Sequence, residues 1–397
     1  MIKKIAISEV RLGMYIHKIS ENWMQHPFWK STFLLSEQAD LEKLKHCNLE
    51  ELWIDTSKGL DVLCLDSKAA NNVPIAPEPV LSLPAEKRIQ KTALVDELVT
   101  ARKVHAKTRS AVVSMFSEAR MGKSIQVEEA VILVDEINMS MERNANALLS
   151  LIRLKTADEY TYLHSVAVCV LMVALGKQLG LYGEELKQIG VAGLLHDIGK
   201  MAVPNEILNK PDKLTDKEFE IIKTHPRRGW EILKKVYQAD EPALDVCLHH
   251  HERVDGKGYP EKLSADTLTL HARMGAVCDV YDAITSDRCY KKGWEPAEAI
   301  RRMTSWKDGH FDETVFRAFV KTIGIYPIGT LLKLRSGRLG LVIEQSEKSL
   351  LTPLVKVFFS TRTNGHIPVE IIDMSKSEDS IVSAESPEQW GLDLGRI

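Results

Sequence analysis

The sequence predicts a mainly helical protein, with a small α+β module before the helical part and a short β-rich tail after it. Three observations predict this class. Residues 156–323 carry apolar side chains at helical spacing, residues 1–66 mix short β-type runs with turns, and the chain after Pro327 alternates apolar and polar positions. A chain of 397 residues is too long for one ordinary core, so we expect roughly two or three domains.

The N-terminal module is predicted over residues 1–66, and a linker over residues 67–86. The predicted elements of the module are strands at residues 5–7, 14–16 and 52–54 and one helix over about residues 36–45. The linker holds two adjacent asparagines and four prolines, which interrupt regular structure.

Two long helices are predicted over residues 87–150, with a break around Gly122. Leu94 and Leu98 mark the apolar face of the first helix, and Leu133 and Ile137 that of the second. Surplus apolar faces on long helices need cover. The sequence is equally consistent with two ways of covering these faces, packing within the chain and a homodimer interface.

The third and fourth parts are a helical domain over residues 151–325 and a β-rich module over residues 326–397. One helix start is explicit, because Thr215 followed by Glu218 forms a capping box ahead of an apolar run. The tail module is expected to hold two to four strands, and its last twenty or so residues are expected to be polar and mobile.

Composition narrows the class of protein. A net charge of −3 gives no case for a polymeric nucleic acid as partner, although a small phosphorylated ligand needs only a local basic pocket. The six cysteines include no CxxC pair, which indicates reduced thiols in a cytosolic protein. The N-terminus lacks the apolar stretch of a signal peptide, and the longest apolar run, residues 166–175, is too short to span a bilayer. We expect a cytoplasmic protein in which that run forms a buried helix.

Histidines and carboxylates carry the chemistry of the helical domain. His250 and His251 are adjacent, and neighbours on a helix point to different faces, so a pocket or a metal would explain the pair. The candidate ligands are His164, His196, Asp197, His225, His250, His251 and Asp279. For any single histidine an ordinary core or surface position is the better explanation, but the joint set favours a metal centre. The absence of thiolates at ligand spacing favours Fe, Mn or other borderline-to-hard ions over structural zinc.

The adjacent pairs suit two neighbouring ions bridged by a carboxylate such as Asp197. Two ions close together suit phosphodiester hydrolysis, because a bridging water becomes hydroxide near neutral pH and both ions neutralise charge in the transition state. Lys200, one helical turn after Asp197, could contact a phosphate oxygen or assist the leaving group. The alternative for Lys200 is an ordinary surface lysine.

These residues resemble the HD-GYP family, a branch of the HD metal-dependent phosphohydrolases. The resemblance covers about residues 150–325 and rests on the series His164, His196-Asp197-Ile198-Gly199-Lys200, His225-Pro226, His250-His251-Glu252-x-x-Asp255-Gly256-x-Gly258-Tyr259-Pro260 and Asp279. It implies an all-helical domain that hydrolyses cyclic di-GMP to pGpG and, in some members, on to GMP. Some members prefer cyclic GMP-AMP. The resemblance also implies bacterial second-messenger signalling, with regulation of biofilm and motility.

The resemblance implies a role for each matched residue. One ion would be held by His164, His196, Asp197 and Asp279, and the other by the bridging Asp197 with His225, His250 and His251. Members with a third ion carry a Glu one helical turn before the first histidine, where this chain has Tyr160, so we expect two divalent ions. Lys200 would contact a phosphate or donate a proton.

The implied substrate side comprises Asp282, Arg288, Lys291, Gly258 and Tyr259. Arg288 is the natural clamp for a phosphate or guanine, because its guanidinium fork holds two acceptors. The N-terminal module resembles a domain of unknown function that is often fused upstream of HD-GYP.

Three functions remain open from the sequence. The first is a cyclic-dinucleotide phosphodiesterase, which the complete ligand set favours. The second is a regulatory scaffold that binds the dinucleotide or signalling proteins through the loop around Tyr259, with weak catalysis. The third, an HD phosphohydrolase for another nucleotide, is disfavoured by the complete Gly-Tyr-Pro string.

Overall fold

The protein forms two compact units, Met1–Gln90 and Lys91–Ile397. The computed structural model describes residues 2–19, 33–35, 38–46, 51–62, 90–123, 125, 127–152, 160–236, 240–287, 292–306, 309–346 and 349–392. The predicted linker over residues 67–86 lies outside the described residues.

The first unit is a small antiparallel sheet with one helix. Its elements are β1 (Ile2–Ala6), β2 (Tyr15–Lys18), β3 (Phe33–Leu34), α1 (Gln38–His46) and β4 (Glu51–Asp55), and the strand order is β1-β4-β2-β3. Ile16 pairs with Ile54 across the sheet, and Leu44 of α1 is fully buried in the same core. The predicted α+β class of this module is confirmed, and β3 is a strand that the sequence did not predict.

The second unit begins with a helical hairpin, α2 (Leu94–Arg120) and α3 (Val127–Leu151). Gly122, with φ +70°, reverses the chain between them, at the predicted break. The side chains of Leu133 and Ile137 are buried within the unit, because α3 packs against α2, α4 and α5. This burial favours packing within the chain, and a homodimer stays a prediction.

Between the hairpin and the C-terminal sheet, the described residues form ten further helices. They are α4 (Tyr160–Gln178), α5 (Gly183–Leu195), a 3-10 helix (Ile198–Ala202), α6 (Asn205–Leu208), α7 (Asp216–Ile222), α8 (His225–Val236), α9 (Glu241–His249), α10 (Leu270–Thr285), α11 (Pro296–Ser305) and α12 (Glu313–Ile323). The predicted capping box is present at α7, where the Thr215 side chain accepts from the Glu218 N–H and the Glu218 carboxylate accepts from the Thr215 N–H.

Helix α4 is the centre of this arrangement, and α2, α3, α5, α10 and α12 pack against it. Its segment Thr161–Gln178 is long and apolar enough to cross a membrane, yet 78% of that window is buried inside the fold. The prediction of a buried helix over residues 166–175 is confirmed, because every side chain from Val166 to Leu175 is buried. The apolar run on all sides of α4 therefore reflects neighbours on all sides.

The chain ends in an antiparallel sheet of five described strands. They are β5 (Leu331–Leu334), β6 (Arg338–Glu344), β7 (Leu354–Ser360), β8 (Gly365–Asp373) and β9 (Ile381–Glu385), in the order β8-β7-β6-β5-β9. The prediction of two to four strands was wrong. The expectation of a mobile end was wrong for residues 381–385, because β9 pairs there with β5. β8 and β9 lie at the two edges of the sheet and bury few side chains. Apolar residues alternate in β8, but Val369 and Ile371 are exposed, so the alternation does not mark a buried face.

Candidate metal centre

Five histidines and two carboxylates, all in the second unit, meet where the ends of several helices converge. Their ligand atoms form three overlapping groups, each within 4.8 Å: His164, His196 and Asp279; His196, Asp197 and His250; His225, His250 and His251. The structure therefore brings together all seven residues that the sequence predicted as ligands. Their role as ligands stays a prediction.

Helix ends place most of these side chains. α5 ends at Leu195, so His196 is its C-cap and Asp197 precedes the 3-10 helix, while His225 is the first residue of α8. Gly199 allows the two segments to approach, because a Cβ at this position would lie 1.9 Å from the His225 carbonyl oxygen. A larger residue at position 199 would therefore push His225 away from Asp197.

The His250-His251 pair lies beyond the helix and not on it. α9 ends at His249, His250 is the C-cap, and His251 follows in a turn. The two rings come within 4.2 Å of each other. The expectation that the two side chains point to different faces of a helix was wrong, because the helix ends before His250.

Asp197 presents one oxygen to each histidine group. Its Oδ2 lies 3.4 Å from Nε2 of both His164 and His196. Its Oδ1 lies 3.2 Å from His225 Nε2 and 3.8 Å from His250 Nε2. A carboxylate that divides its oxygens in this way has the geometry to bridge two ions.

Asp279 completes the first group. Its Oδ1 lies 2.9 Å from His164 Nε2 and 3.8 Å from His196 Nε2, and its Oδ2 lies 3.5 Å from His251 Nδ1. Asp279 belongs to α10, whereas His164 belongs to α4. Packing between these two helices therefore builds the group.

Four of the histidines are oriented by a bond at Nδ1, which leaves Nε2 towards the centre. The Nδ1 contacts are His164 to Asp282 Oδ2 at 2.6 Å, His196 to Gly193 O at 2.8 Å, His225 to Ile222 O at 2.7 Å and His250 to Val246 O at 2.9 Å. Metal-binding histidines commonly use their second nitrogen in this way, because the bond fixes both the tautomer and the ring plane.

Electrostatics hold most of the donors in the charge state that a cation requires. Burial raises the pKa of Asp197, but the charge of Lys200 and the nearby histidines outweighs it and holds the pKa well below its usual range. Burial likewise raises the pKa of Asp279, but the hydrogen bond from His164 and the nearby histidines outweigh it and hold the pKa well below its usual range. Burial lowers the pKa of His251 to about 3. Charged carboxylates and neutral imidazoles are the forms that bind metal.

His164 differs in its pKa. Burial alone lowers the pKa of this imidazole, but the hydrogen bonds to Asp279 and Asp282 outweigh it and raise the pKa.

Two buried atoms of the centre show that the residues fit a cation. Among the described residues, His196 Nε2 and Asp197 Oδ1 have no hydrogen-bond partner. Buried polar atoms are normally paired, and an unpaired one costs free energy. A divalent ion next to each would satisfy both atoms, and nitrogen with carboxylate oxygen suits iron, manganese and similar ions.

Comparison with known proteins gives the family. Residues 2–130 match a domain of unknown function, DUF3391, and residues 132–315 match the HD domain. A cyclic di-GMP phosphodiesterase of Pseudomonas aeruginosa is 53% identical over 395 residues, which make up 99% of this chain and 94% of that protein. This chain belongs to the HD-GYP family. The resemblance inferred from the motif is confirmed.

Less similar proteins match only part of this HD-GYP protein. A 3'3'-cGAMP-specific phosphodiesterase of Vibrio cholerae is 35% identical over 165 residues, which are 41% of this chain and 38% of that protein. A solved HDG"Y"P protein of Bdellovibrio bacteriovorus is 17% identical and covers 80% of this chain and 98% of its own, with a TM-score of 0.48.

The structure describes only some of the predicted substrate residues of this HD-GYP protein. Arg288 and Lys291 lie outside the described residues. Asp282 is buried, and its Oδ2 contacts Nδ1 of His164, a candidate ligand. Its role as a substrate contact stays a prediction. Lys200 Nζ lies 2.5 Å from Asp197 Oδ2.

The loop that names the family lies against the centre. The Tyr259 ring stacks on His251 with centroids 4.7 Å apart. Gly258 is required by close packing, because a Cβ there would lie 2.4 Å from Glu252 Cα. The Tyr259-Pro260 peptide bond is cis.

Glu252 has a structural role that the sequence did not predict. Its carboxylate accepts backbone N–H bonds from Glu261, Lys262 and Leu263 at 2.6, 2.9 and 3.1 Å. This buried carboxylate thus fastens the loop after Tyr259. Its place in the motif between the histidines and the glycines was the available signal. The neighbouring His249 contacts Asp245, with 2.7 Å between Nδ1 and Oδ1.

The expectation of two ions and not three rests on Tyr160, and the structure describes only the backbone of this residue. The number of ions stays a prediction.

Proposed function

We propose that this protein is a metal-dependent phosphodiesterase that hydrolyses cyclic di-GMP to pGpG or, through a second cleavage, to GMP. The observation that carries the proposal is the position of Asp197, with one oxygen facing His164 and His196 and the other facing His225 and His250. The cyclic di-GMP phosphodiesterase of Pseudomonas aeruginosa, 53% identical over nearly its whole length, supports this substrate.

Two divalent ions, when bound, supply an activated water near neutral pH and positive charge opposite the phosphoryl oxygens. The chain supplies their ligands, His164, His196, Asp197 and Asp279 for one ion and Asp197, His225, His250 and His251 for the other. Iron or manganese fits this donor set best, because it contains nitrogen and carboxylate oxygen without thiolate.

Lys200 lies at the boundary between the centre and solvent. Its side chain is 17% exposed, while the Asp197 that it contacts is fully buried. From this position its ammonium can reach a phosphate oxygen or protonate the leaving group. Arg288 and Lys291 remain the proposed phosphate contacts, with Gly258 and Tyr259 on the substrate side. We place the protein in the cytoplasm, in second-messenger signalling that controls biofilm and motility.

The test is turnover of cyclic di-GMP by the purified protein supplied with Mn²⁺ or Fe²⁺, with products separated by chromatography. We expect linear products from the wild type. Asp197→Ala should abolish turnover, because it removes the bridging carboxylate. Wild-type rates in Asp197→Ala would contradict the mechanism.

Cyclic GMP-AMP is the second candidate substrate, favoured by the 35% identity to the 3'3'-cGAMP-specific phosphodiesterase of Vibrio cholerae. The same assay with both dinucleotides decides between them by the ratio of kcat/KM. Binding of cyclic di-GMP without turnover, with metal present, would instead support the regulatory scaffold.

A further inference from the structure

His251 differs from the other histidines of the centre in how its ring is held. The other four have an Nδ1 bond to a carbonyl or carboxylate, whereas no hydrogen bond to the His251 ring is found among the described residues. Its nearest charged contact is Asp279 Oδ2, at 3.5 Å. Its side chain is also 22% exposed, against about 1% for His164. Another contact must therefore set the plane of this ring.

Aromatic contacts take the place of the missing bond. The Tyr259 ring stacks on His251 with an interplanar angle of 29° and a centroid distance of 4.7 Å. The Tyr259 N–H donates to the His251 carbonyl oxygen at 3.2 Å, so the two residues are joined by backbone as well. On the inner side, the His250 ring lies 4.2 Å away. Offset stacking of this kind restricts rotation of a ring about its bonds to the chain.

Tyr259 is in turn held by a cation at the end of α7. The Lys223 ammonium lies 5.9 Å from the centroid of the Tyr259 ring and 4.8 Å from that of Phe219. Both distances are within the range of cation–π attraction. Glu220 fixes the same ammonium at 2.7 Å. Phe219, Glu220 and Lys223 occupy positions i, i+1 and i+4 around one helical turn, so α7 and its end present them together.

The backbone on both sides of Tyr259 is also fixed. Gly258 packs against Glu252, and the Glu252 carboxylate accepts the three N–H bonds from Glu261, Lys262 and Leu263. The loop therefore presents the Tyr259 ring at one position, between Lys223 and His251.

We propose that Tyr259 is a positioning residue for His251, and that Lys223 with Phe219 holds the Tyr259 ring in place. The inference rests on the proposed function in so far as His251 is taken as a metal ligand. Tyr259 would orient the His251 ring, as a hydrogen-bond acceptor at Nδ1 orients each of the other four histidine rings. It also makes α7, which contributes no candidate ligand, part of the support of the second ion.

The experiment measures Mn²⁺ binding to the full-length, metal-free protein by calorimetry, with no dinucleotide present. Tyr259→Leu should weaken the binding of one ion by about 10- to 100-fold, as loss of a ligand's supporting partner does. Tyr259→Phe should keep wild-type affinity, because the ring remains. Absorption spectra of the Co²⁺-loaded proteins should distinguish the same two variants. The spectrum should change in Tyr259→Leu and stay as in the wild type in Tyr259→Phe.

Lys223→Met should weaken the binding of the same Mn²⁺ ion by about twofold to fivefold. Lys223→Arg should keep the wild-type affinity, because a guanidinium also makes cation–π contacts. Lys234→Met is the matched control. Lys234 lies 4.4 Å from the Trp230 ring, a contact of the same kind on α8 that does not involve Tyr259 or His251. This control should leave Mn²⁺ affinity unchanged.

Wild-type affinity for both ions in Tyr259→Leu would overturn the proposal, as would equal behaviour of Lys223→Met and Lys234→Met. A raised KM with unchanged metal affinity in Tyr259→Leu would also overturn it, because Tyr259 would then contact substrate without positioning His251. The proposed function fails separately, if the wild type binds two ions but does not hydrolyse either dinucleotide.

Discussion

Asp282 and Asp279 take opposite sides of one imidazole. They are three residues apart on α10, so their carboxylates share a helix face, and each meets a different nitrogen of His164. Asp279 contacts Nε2, on the side of the centre, and Asp282 contacts Nδ1, behind the ring. Residue type and spacing are compatible with either role, and only the position of the ring distinguishes a ligand from its support.

Asp282→Ala should therefore weaken metal binding. Without the acceptor at Nδ1, the His164 ring loses its fixed tautomer and plane, and we expect Mn²⁺ affinity to fall about 10- to 100-fold. The measurement is calorimetric titration of metal-free protein, together with turnover of cyclic di-GMP at saturating Mn²⁺.

The control for Asp282 is Asp245→Ala. Asp245 makes a similar bond to His249, at 2.7 Å, but His249 is not a candidate ligand, so Mn²⁺ affinity should be unchanged. If Asp282→Ala keeps its metal affinity and raises KM instead, Asp282 contacts substrate, as the sequence predicted.

At the scale of elements, the α2–α3 hairpin is joined by a buried ion pair as well as by apolar faces. Glu97 of α2 is 2% exposed and accepts bonds from Arg143 Nε at 2.7 Å and from Ser140 Oγ at 2.7 Å. The pair lies beside Asn144, whose φ of −162° interrupts α3. Asn144 Nδ2 donates to the Thr92 carbonyl oxygen, so the start of α2 is tied to this interruption.

Glu97→Gln should destabilise the hairpin in a pH-dependent way. Burial raises the pKa of Glu97, but the bonds from Arg143 and Ser140 outweigh it and lower the pKa below its ordinary value of 4.5. The contribution of Glu97 is therefore present above pH 4.5 and is lost as the pH falls through the folded-state pKa. We expect a loss of about 1.5 to 3 kcal/mol at pH 7, measured by urea unfolding, that shrinks below pH 4.5.

The control joins the same two helices at the surface. Lys107 of α2 pairs with Glu136 of α3, and the Lys107 side chain is more than half exposed. Glu136→Gln should change the free energy of unfolding by less than about 1 kcal/mol. Equal losses in the two variants, or a loss from Glu97→Gln that does not depend on pH, would contradict this account.

At the scale of the molecule, all candidate ligands and all their described contacts lie within Lys91–Ile397. The C-terminal sheet belongs to the same unit. Helical residues such as Leu171 and Tyr281 line one small apolar cavity together with Pro327 and Ile328, which lead into β5. The segment that leads into the sheet thus packs against apolar side chains of the helical domain. The first unit contributes none of the candidate ligands.

A chain of residues 91–397 should therefore keep the metal stoichiometry and the cyclic di-GMP turnover of the full protein. Elemental analysis and the chromatographic assay measure the two. A chain of residues 91–326 should lose thermal stability, because it lacks Pro327 and Ile328 and so exposes apolar side chains around Leu171 and Tyr281. Loss of metal from the 91–397 chain would show that the centre needs the first unit.

Sequence reasoning succeeded where one segment carries the signal. The break between α2 and α3, the burial of residues 166–175 and the capping box at Thr215 are local patterns, and the structure has each of them. It failed for β8 and β9, edge strands whose apolar side chains Val369, Ile371 and Val382 are exposed. It also failed for the His250-His251 pair, because the pattern did not show that the helix ends at His249.

The sequence by itself determined the chemistry of this protein, because donor type is a property of each residue. Seven nitrogen and oxygen donors, a lysine after the His-Asp pair and the Gly-Tyr-Pro loop are visible in the chain alone. Only the tertiary structure decided which atoms face the centre. His164 and Asp282 are 118 residues apart, and Tyr259 meets Lys223 and His251 only after α7 and the loop have packed. Such contacts depend on the packing of distant segments, which no local pattern encodes.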